Sequence, residues 1–342
     1  MLMALNHWPP GPGAFYGAVC LALALALAMG IDHRFGEPRA VFHPVVWMGK
    51  YLQACGRLTV RCAPALAFVL GSLAWWCMGA VVMGALAWGL QALVFWQLPS
   101  WGERPILESM AYGLLLLSLM AWLLKSMLSW RMLRDEVGAV EAALQQSLDA
   151  GRRRLAMLVS RDTSQLNKSE VRESAIESLA ENLNDSVVAP VFWFVLFGLP
   201  GAAVYRFANT ADAMWGYRGL RNGVNWAWAG KWAARADDVL SWLPARITAL
   251  LLALVAGGVS LKTIRREARK TPSPNSGWPM TAMALALDVR LRKPGVYVLH
   301  EAGRSPQAQD IALAQKYASK VVVPLVLCAQ AAIILIATVR FL

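Results

Sequence analysis

Charge is what this 342-residue sequence has least of: Asp, Glu, Lys and Arg together make up 16% of it, where a soluble globular domain carries about a quarter. That shortage excludes a chain whose surface faces water throughout. Cysteine is also sparse. The five cysteines, Cys20, Cys55, Cys62, Cys77 and Cys328, show no CxxC spacing and three of them lie in apolar runs, which excludes a zinc ribbon and a disulfide framework. No GxxxxGK[ST], Gly-x-Ser-x-Gly or HExxH occurs, and Gly11-Pro-Gly13 precedes an apolar run instead of following a strand. Walker-type, hydrolase-elbow, zincin and dinucleotide-loop chemistry are therefore not indicated. Internal repeats and low-complexity linkers are absent as well.

What the chain does have is apolar residues, 57% of the total, gathered in blocks. Residues 14–31, 64–97, 105–130 and 321–341 are nearly free of charge, and each is long enough to cross a hydrocarbon layer ~30 Å thick as a helix. Two further stretches, 187–208 and 239–259, are interrupted by Pro190, Pro200, Arg206, Pro244 and Arg246. The pattern predicts an all-α polytopic integral membrane protein, one membrane-embedded domain over 1–342, with four spans and one or two broken or re-entrant segments. Pro190, Gly198, Pro200 and Gly201 suit such a break, which is tolerated where backbone lines a protein-walled cavity. Ala26-Leu27-Ala28 looks like a processing site, but no Lys or Arg precedes the first run, so it is read as a retained helix.

The net charge of +12 follows from where the basic residues sit. They gather in the polar segments 32–63, 131–186, 209–238 and 260–320, while the N-terminal tail has none and the 98–104 connection only Arg104. The positive-inside rule then places the N-terminus outside and the polar segments in the cytoplasm of a bacterial inner-membrane protein, with no need for a nucleic-acid partner. Leu133, Val137, Val140, Leu144 and Leu148 predict that the third span runs on as an amphipathic helix ending at Asp149-Ala-Gly151. A second polar helix is expected from 168 to about 186, capped by Asn167 or Ser169.

Five polar constellations are the candidate chemistry. Arg161-Asp162-Thr163-Ser164 leads into Glu173, Glu177, Glu181 and Asp185, which step by four and share one helical face. Stacked carboxylates repel, and a Mg²⁺ held with substrate phosphate would relieve them; an acidic solvated face is the competing reading. Asn182 lies on the same segment. Asn209 and Asp212 are helical neighbours, followed by Tyr217 and Arg218, whose fork suits phosphate or carboxylate. Asp237 and Asp238 precede Arg246, an arginine in an apolar stretch that needs an anionic partner, either one of these carboxylates or a ligand. The N-terminal group is Asp32-His33-Arg34-Phe35-Gly36-Glu37-Pro38, then His43-Pro44 and Trp47-Met48-Gly49, and a lone histidine such as His43 or His33 is more often structural than catalytic. Ser273-Pro-Asn275-Ser-Gly277-Trp278-Pro279 must be a shaped loop, since its prolines exclude regular pairing.

Taken together, Asp32…Gly36-Glu-Pro38…His43-Pro-Val, Arg161-Asp-Thr-Ser, Glu177…Glu181-Asn182…Asp185…Ala189-Pro190, Asn209-Thr…Asp212…Tyr217-Arg218, Arg235…Asp237-Asp238…Pro244-Ala-Arg246 and Ser273-Pro-Asn275…Trp278-Pro279 resemble the CobD/CbiB family over most of the chain. The departures are Asp185-Ser186 where the family commonly has Asp-Gly, and Gly219-Leu-Arg-Asn-Gly-Val after Arg218. The resemblance implies an ATP- and Mg²⁺-dependent synthase of cobalamin assembly. Its amide-forming step joins (R)-1-amino-2-propanol O-phosphate, or a related aminoalcohol phosphate, to the free propionate of adenosylcobyric acid, giving adenosylcobinamide phosphate. On residue type, Glu177, Glu181, Asp185 and Asp212 are expected to hold Mg²⁺. Arg161, Arg218 and Arg246 are expected to bind phosphates, and Asp32 and His43 to order or deprotonate the amine. The remaining expected contacts are Asp162, Thr163, Ser164, Asn182, Asn209, Tyr217, Asp237, Asp238, Asn275 and Trp278.

Three other readings stay open at this stage. A Mg²⁺-dependent prenyl- or alcohol-phosphotransferase would want a further Asp four residues after Asp212, where Gly216 stands. A corrinoid transporter would want polar groups in mid-span. A scaffold for other late cobalamin-assembly enzymes is compatible with catalysis.

Overall fold

A computed structural model describes residues 12–97, 106–221 and 223–339. The N-terminal tail up to residue 11 and Arg104, which enter the orientation argument, lie outside the described residues. In chain order the helices are α1 (Pro12–Phe35), α2 (Pro44–Thr59), α3 (Pro64–Val69), α4 (Cys77–Gln97) and α5 (Ile106–Ser126), then α6 (Trp130–Gln146), α7 (Leu148–Leu155) and α8 (Lys168–Leu183). They continue with α9 (Ala189–Phe197), α10 (Leu199–Trp215), α11 (Lys231–Leu240), α12 (Trp242–Val255), α13 (Leu261–Ala268), α14 (Gly277–Leu287) and α15 (Ala308–Val339). Two small antiparallel hairpins interrupt them, β1 (Leu220–Arg221) with β2 (Val224–Asn225) and β3 (Leu291–Lys293) with β4 (Tyr297–Leu299).

Among the described residues four helical stretches, Phe15–Phe35, Pro64–Trp96, Met110–Gln146 and Ala308–Val339, are long and apolar enough to cross a membrane, and a fifth arises only if α11 and α12 count as one broken span. The all-α polytopic class expected from the apolar blocks is the one observed. By its internal contacts the chain divides into two units. The first takes the residues up to Ser129, Ala189–Leu240 and those from Val326; the second takes Trp130–Val188 and Ser241–Leu325.

In the first unit, α1 packs on α5. Its buried face, Ala18, Leu21, Ala22, Leu25 and Ala28, recurs at helical spacing with small residues that allow close approach. Leu23 on α1, Val81 and Leu86 on α4, and Leu114 and Leu115 on α5 are exposed, as expected of faces turned to lipid. The 187–208 stretch does break: α9 ends before Gly198, whose φ of +70° starts α10. The free N–H of Leu199 donates to Oε1 of Gln91 on α4 at 2.7 Å, so the backbone group released by the break is satisfied inside the protein.

In the second unit, α6 buries Leu133, Val137, Val140 and Leu144 and packs on α7 and α8. The predicted stop at Asp149-Ala-Gly151 is misplaced. Ser147 breaks the helix two residues earlier, and its hydroxyl caps α7 by accepting from Ala150 N at 3.1 Å, so those residues open a new helix. The Asn167 cap is correct: Asn167 and Glu170 form a reciprocal capping box on α8, at 3.0 and 2.8 Å. The 260–320 segment, read as polar throughout, contains the buried apolar helix α14, with Met280, Ala282, Met283, Ala284 and Leu287 in the core. Eleven residues are too few for a span, so it does not register in a search for transmembrane runs.

Candidate functional site

The site forms in the second unit where α8 meets the segment 158–161 and the β3–β4 hairpin. Arg161, Glu177, Glu181, Asn182, Lys293 and Tyr297 line a cavity of about 170 Å³. Glu177 is buried, and its Oε2 accepts from a guanidinium N–H of Arg161 at 2.8 Å. The same nitrogen donates to Ser174 Oγ at 2.5 Å. Oε1 of Glu177 and the second terminal nitrogen of Arg161 are buried without a hydrogen bond. Burial raises the Glu177 carboxyl above the usual range, opposed by the Arg161 charge. The Tyr297 phenol is raised in turn, by burial first and then by the negative charge of Glu177, so it stays protonated.

The hairpin supplying Lys293 and Tyr297 turns through Pro294-Gly295, with Val296 N donating to Lys293 O at 2.9 Å and Gly295 at φ +72°, the requirement of a type II turn. Arg292, on the same strand, pairs with Glu170 at 3.0 Å and Glu173 at 3.2 Å. The acidic face is therefore not solvated: Glu173 and Glu177 are buried, and arginines relieve their repulsion. The α-helical register ends at Leu183, after which Asn184–Val188 form a π-turn. Asp185 lies in that turn and accepts from Asn184 Nδ2 at 2.7 Å, and it does not line the cavity.

Of Arg161-Asp-Thr-Ser, Arg161 alone reaches the cavity. Asp162 accepts from the N–H and hydroxyl of Ser164 at 2.8 and 3.1 Å, bonds that hold its carboxyl below the usual range, the backbone N–H most. Thr163 donates to Arg152 O at 3.0 Å. These three shape the loop that presents Arg161. Asn182 donates back to Ser178 O at 2.9 Å, leaving its carbonyl oxygen for a ligand.

Elsewhere in this unit Arg246, Asn275 and Trp278 come together. The Arg246 guanidinium lies between the Trp242 and Trp278 rings, 4.4 and 4.7 Å from their centroids, and donates to Trp242 O, Asn275 Oδ1 and Pro274 O at 2.6, 2.8 and 3.0 Å. Its partner is the proline-rich loop, and not Asp237 or Asp238.

In the first unit, Tyr217, Arg218 and Asp238 line a cavity of about 610 Å³ together with Lys231 and Arg235. Asn209 donates to Asp237 at 3.3 Å, and the carbonyl of Asp212 accepts from Gly216 N at 2.7 Å, closing α10. Asp32 is buried, with Lys125 Nζ 3.3 Å from its Oδ1 and 2.8 Å from Glu37 Oε2. His43 Nε2 lies 2.9 Å from Glu37 Oε2, while its Nδ1 accepts from Val45 N at 3.3 Å as the cap of α2. Burial would raise the Glu37 carboxyl, but His43 and Lys125 bring it below the usual range.

Sequence reasoning missed Lys293, Tyr297 and Lys125. Pro294-Gly295 between Leu-Arg-Lys and Tyr-Val-Leu is a legible hairpin signal; Lys125, the one cation in its apolar run, is legible as a charge needing a partner.

Among the described residues no three His, Cys, Asp or Glu side chains are grouped to hold a metal ion. The carboxylates of Glu177 and Glu181, the Asn182 carbonyl and the unsatisfied Glu177 Oε1 fit part of a Mg²⁺ shell, the rest falling to phosphate and water.

Fold and site define a helical, polytopic membrane protein with a polar, partly buried cationic and carboxylate cluster outside its spans. The family model described as CobD/Cbib protein matches residues 25–323, and the chain belongs to the CobD/CbiB family of cobalamin biosynthesis proteins. It is 39% identical over 294 residues to the "Probable cobalamin biosynthesis protein CobD" of Pyrococcus furiosus, covering 86% of this chain and 92% of the relative. To the "Cobalamin biosynthesis protein CobD" of Dehalococcoides mccartyi it is 36% identical over 286 residues, covering 82% and 86%. No solved structure matches it.

Proposed function

We propose that the chain is the ATP-dependent acid–amine ligase that joins an aminoalcohol phosphate, (R)-1-amino-2-propanol O-phosphate or a relative, to the free propionate of adenosylcobyric acid at the cytoplasmic face of the inner membrane. The observation that carries this reading is the convergence of Arg161, Lys293, Glu177, Glu181 and Tyr297 on one polar cavity. Amide formation needs both kinds of group: cations for the phosphorylated carboxyl and a carboxylate for the amine.

A carboxylate is a poor electrophile, so the propionate must first take a phosphoryl group from ATP. The amine nitrogen then forms the C–N bond as the C–O bond to phosphate breaks, and one amine proton leaves. Arg161 and Lys293 hold the oxygens that gain charge. Glu177, raised by burial, takes the proton, and Tyr297 holds the carboxylate in place. Mg²⁺ held by Glu181 and the Asn182 carbonyl would neutralise phosphate charge and leave Glu177 to take the proton.

The test is ligation by the full chain in detergent, following the corrinoid mass. A gain of one amide that requires Mg²⁺ and ATP supports the ligase. Corrinoid binding without any mass gain moves the assignment to a scaffold or transporter.

A further inference from the structure

A second cavity in the second unit, about 670 Å³, is bounded by Trp242, Trp278, Arg246, Arg265, Arg269 and Ser273, among others, and no Asp or Glu lines it. Three guanidiniums around one space repel unless an anion joins them. They are not equivalent. Arg246 lies between two indoles and donates three N–H groups to Trp242 O, Asn275 Oδ1 and Pro274 O, so it forms the wall. Arg265 and Arg269 are four residues apart on the last turn of α13 and at its C-cap, and neither has an ion-pair partner among the described residues. The carboxylate between them, Glu267, is held away from that face by Lys270 at 2.7 Å and His300 N at 3.1 Å. The Ser273 hydroxyl accepts from Asn275 N and Ser276 N, both at 3.2 Å, which leaves its own proton to donate. The floor is tight: a Cβ at Gly277 would sit 2.4 Å from Ala268 O, so the end of α13 and the start of α14 are fixed against each other.

We infer that this cavity binds a phosphate-bearing anion through Arg265, Arg269 and the Ser273 hydroxyl, with Arg246, Trp242 and Trp278 as its rigid wall. Two guanidinium forks and a hydroxyl match the several oxygens and double charge of a phosphate better than a single carboxylate does, and the volume suits a drug-sized ligand. The same chemistry is offered by a soluble nucleoside triphosphate and by an anionic lipid headgroup. The inference concerns binding and does not rest on the ligase reading: lost ligation with intact binding counts against the ligase roles alone.

The probe is inorganic tripolyphosphate, titrated calorimetrically into the full chain in neutral detergent. R265Q/R269Q, both exposed positions, should weaken binding about tenfold or more, and each single variant by part of that. K262Q/R266Q removes the same charge from α13 outside the cavity and should leave affinity unchanged. Equal losses in both pairs, or no binding by the wild type, overturn the site. Displacement by ATP assigns it to a soluble phosphoester. Blocking by phosphatidylglycerol nanodiscs, but not by phosphatidylcholine ones, assigns it to lipid. Failure of both to compete overturns it.

Discussion

The guanidinium of Arg161 lies 2.8 Å from Oε2 of Glu177, yet burial still leaves the Glu177 carboxyl raised. The arginine therefore opposes the desolvation without cancelling it, and the residue is set to exchange a proton nearer neutral pH than an ordinary carboxyl. If Glu177 takes the amine proton, the ligation rate falls on the acid side with a midpoint above the ordinary glutamate value of about 4.3. Removing the neighbouring cation destabilises the carboxylate, so Arg161→Gln should move that limb to higher pH. Glu177→Gln should abolish the limb and lower kcat about a hundredfold or more. A wild-type limb at or below the ordinary value removes Glu177 from this role.

Tyr297 tests the same site from the hairpin. Its protonated phenol lines the cavity with Glu177 and favours the charged form of that carboxyl, so Tyr297→Phe should also shift the acid limb upward, by less than Arg161→Gln. A purely structural role would lower stability and leave the limb where it is; the pH profile separates the two.

Part of this site was legible in the sequence. The four-residue steps of Glu173 and Glu177 and the Asn167 cap are local, fixed by helical geometry and first-turn hydrogen bonding. What occupies the space opposite them is not local. Lys293 and Tyr297 meet α8 only because Pro294-Gly295 turns a short hairpin, and no periodicity links the segments. The competing reading of a solvated acidic face fails for the same reason: Arg292, which neutralises Glu173, lies far along the chain. Arg246 was expected to need an anionic partner, Asp237, Asp238 or a ligand; the partners it has are a backbone loop, Asn275 and two indoles, and sequence spacing says nothing of carbonyl directions. The spans were legible because apolar length alone decides them, and α14 was missed because it is apolar yet short.

Lys125 holds two carboxylates, Asp32 and Glu37, at a fully buried position. Breaking such a group from one side leaves uncompensated charge, at about 3–5 kcal/mol. Lys125→Met should destabilise the detergent-solubilised protein by that order. Adding Asp32→Asn should recover part of the loss, because one stranded charge is gone. The Glu37 carboxyl is below its unfolded value, so its contribution is present above the unfolded pKa and lost as pH falls through the folded one. Glu37→Gln should accordingly reduce stability at neutral pH and flatten its decline in acid. A double variant less stable than Lys125→Met alone would sink this account.

The break at Gly198 gives the last test, because two separate penalties meet at one contact. Gly198 has a positive φ, and a Cβ there would sit 2.3 Å from Gln91 Oε1, the acceptor of the Leu199 N–H. Gly198→Ala therefore costs about 1–3 kcal/mol in backbone strain and also pushes the amide off its donor. Gln91→Ala removes the acceptor and leaves a buried N–H unsatisfied, again about 1–3 kcal/mol. In the double variant the methyl has room and the N–H is already unpaired, so only the backbone strain adds to the Gln91→Ala loss. Denaturation in mixed detergent micelles should show the double variant less destabilised than the two single losses added together. Strict additivity would mean that the glutamine does not answer the break, and that the freed backbone group is satisfied by something other than Gln91.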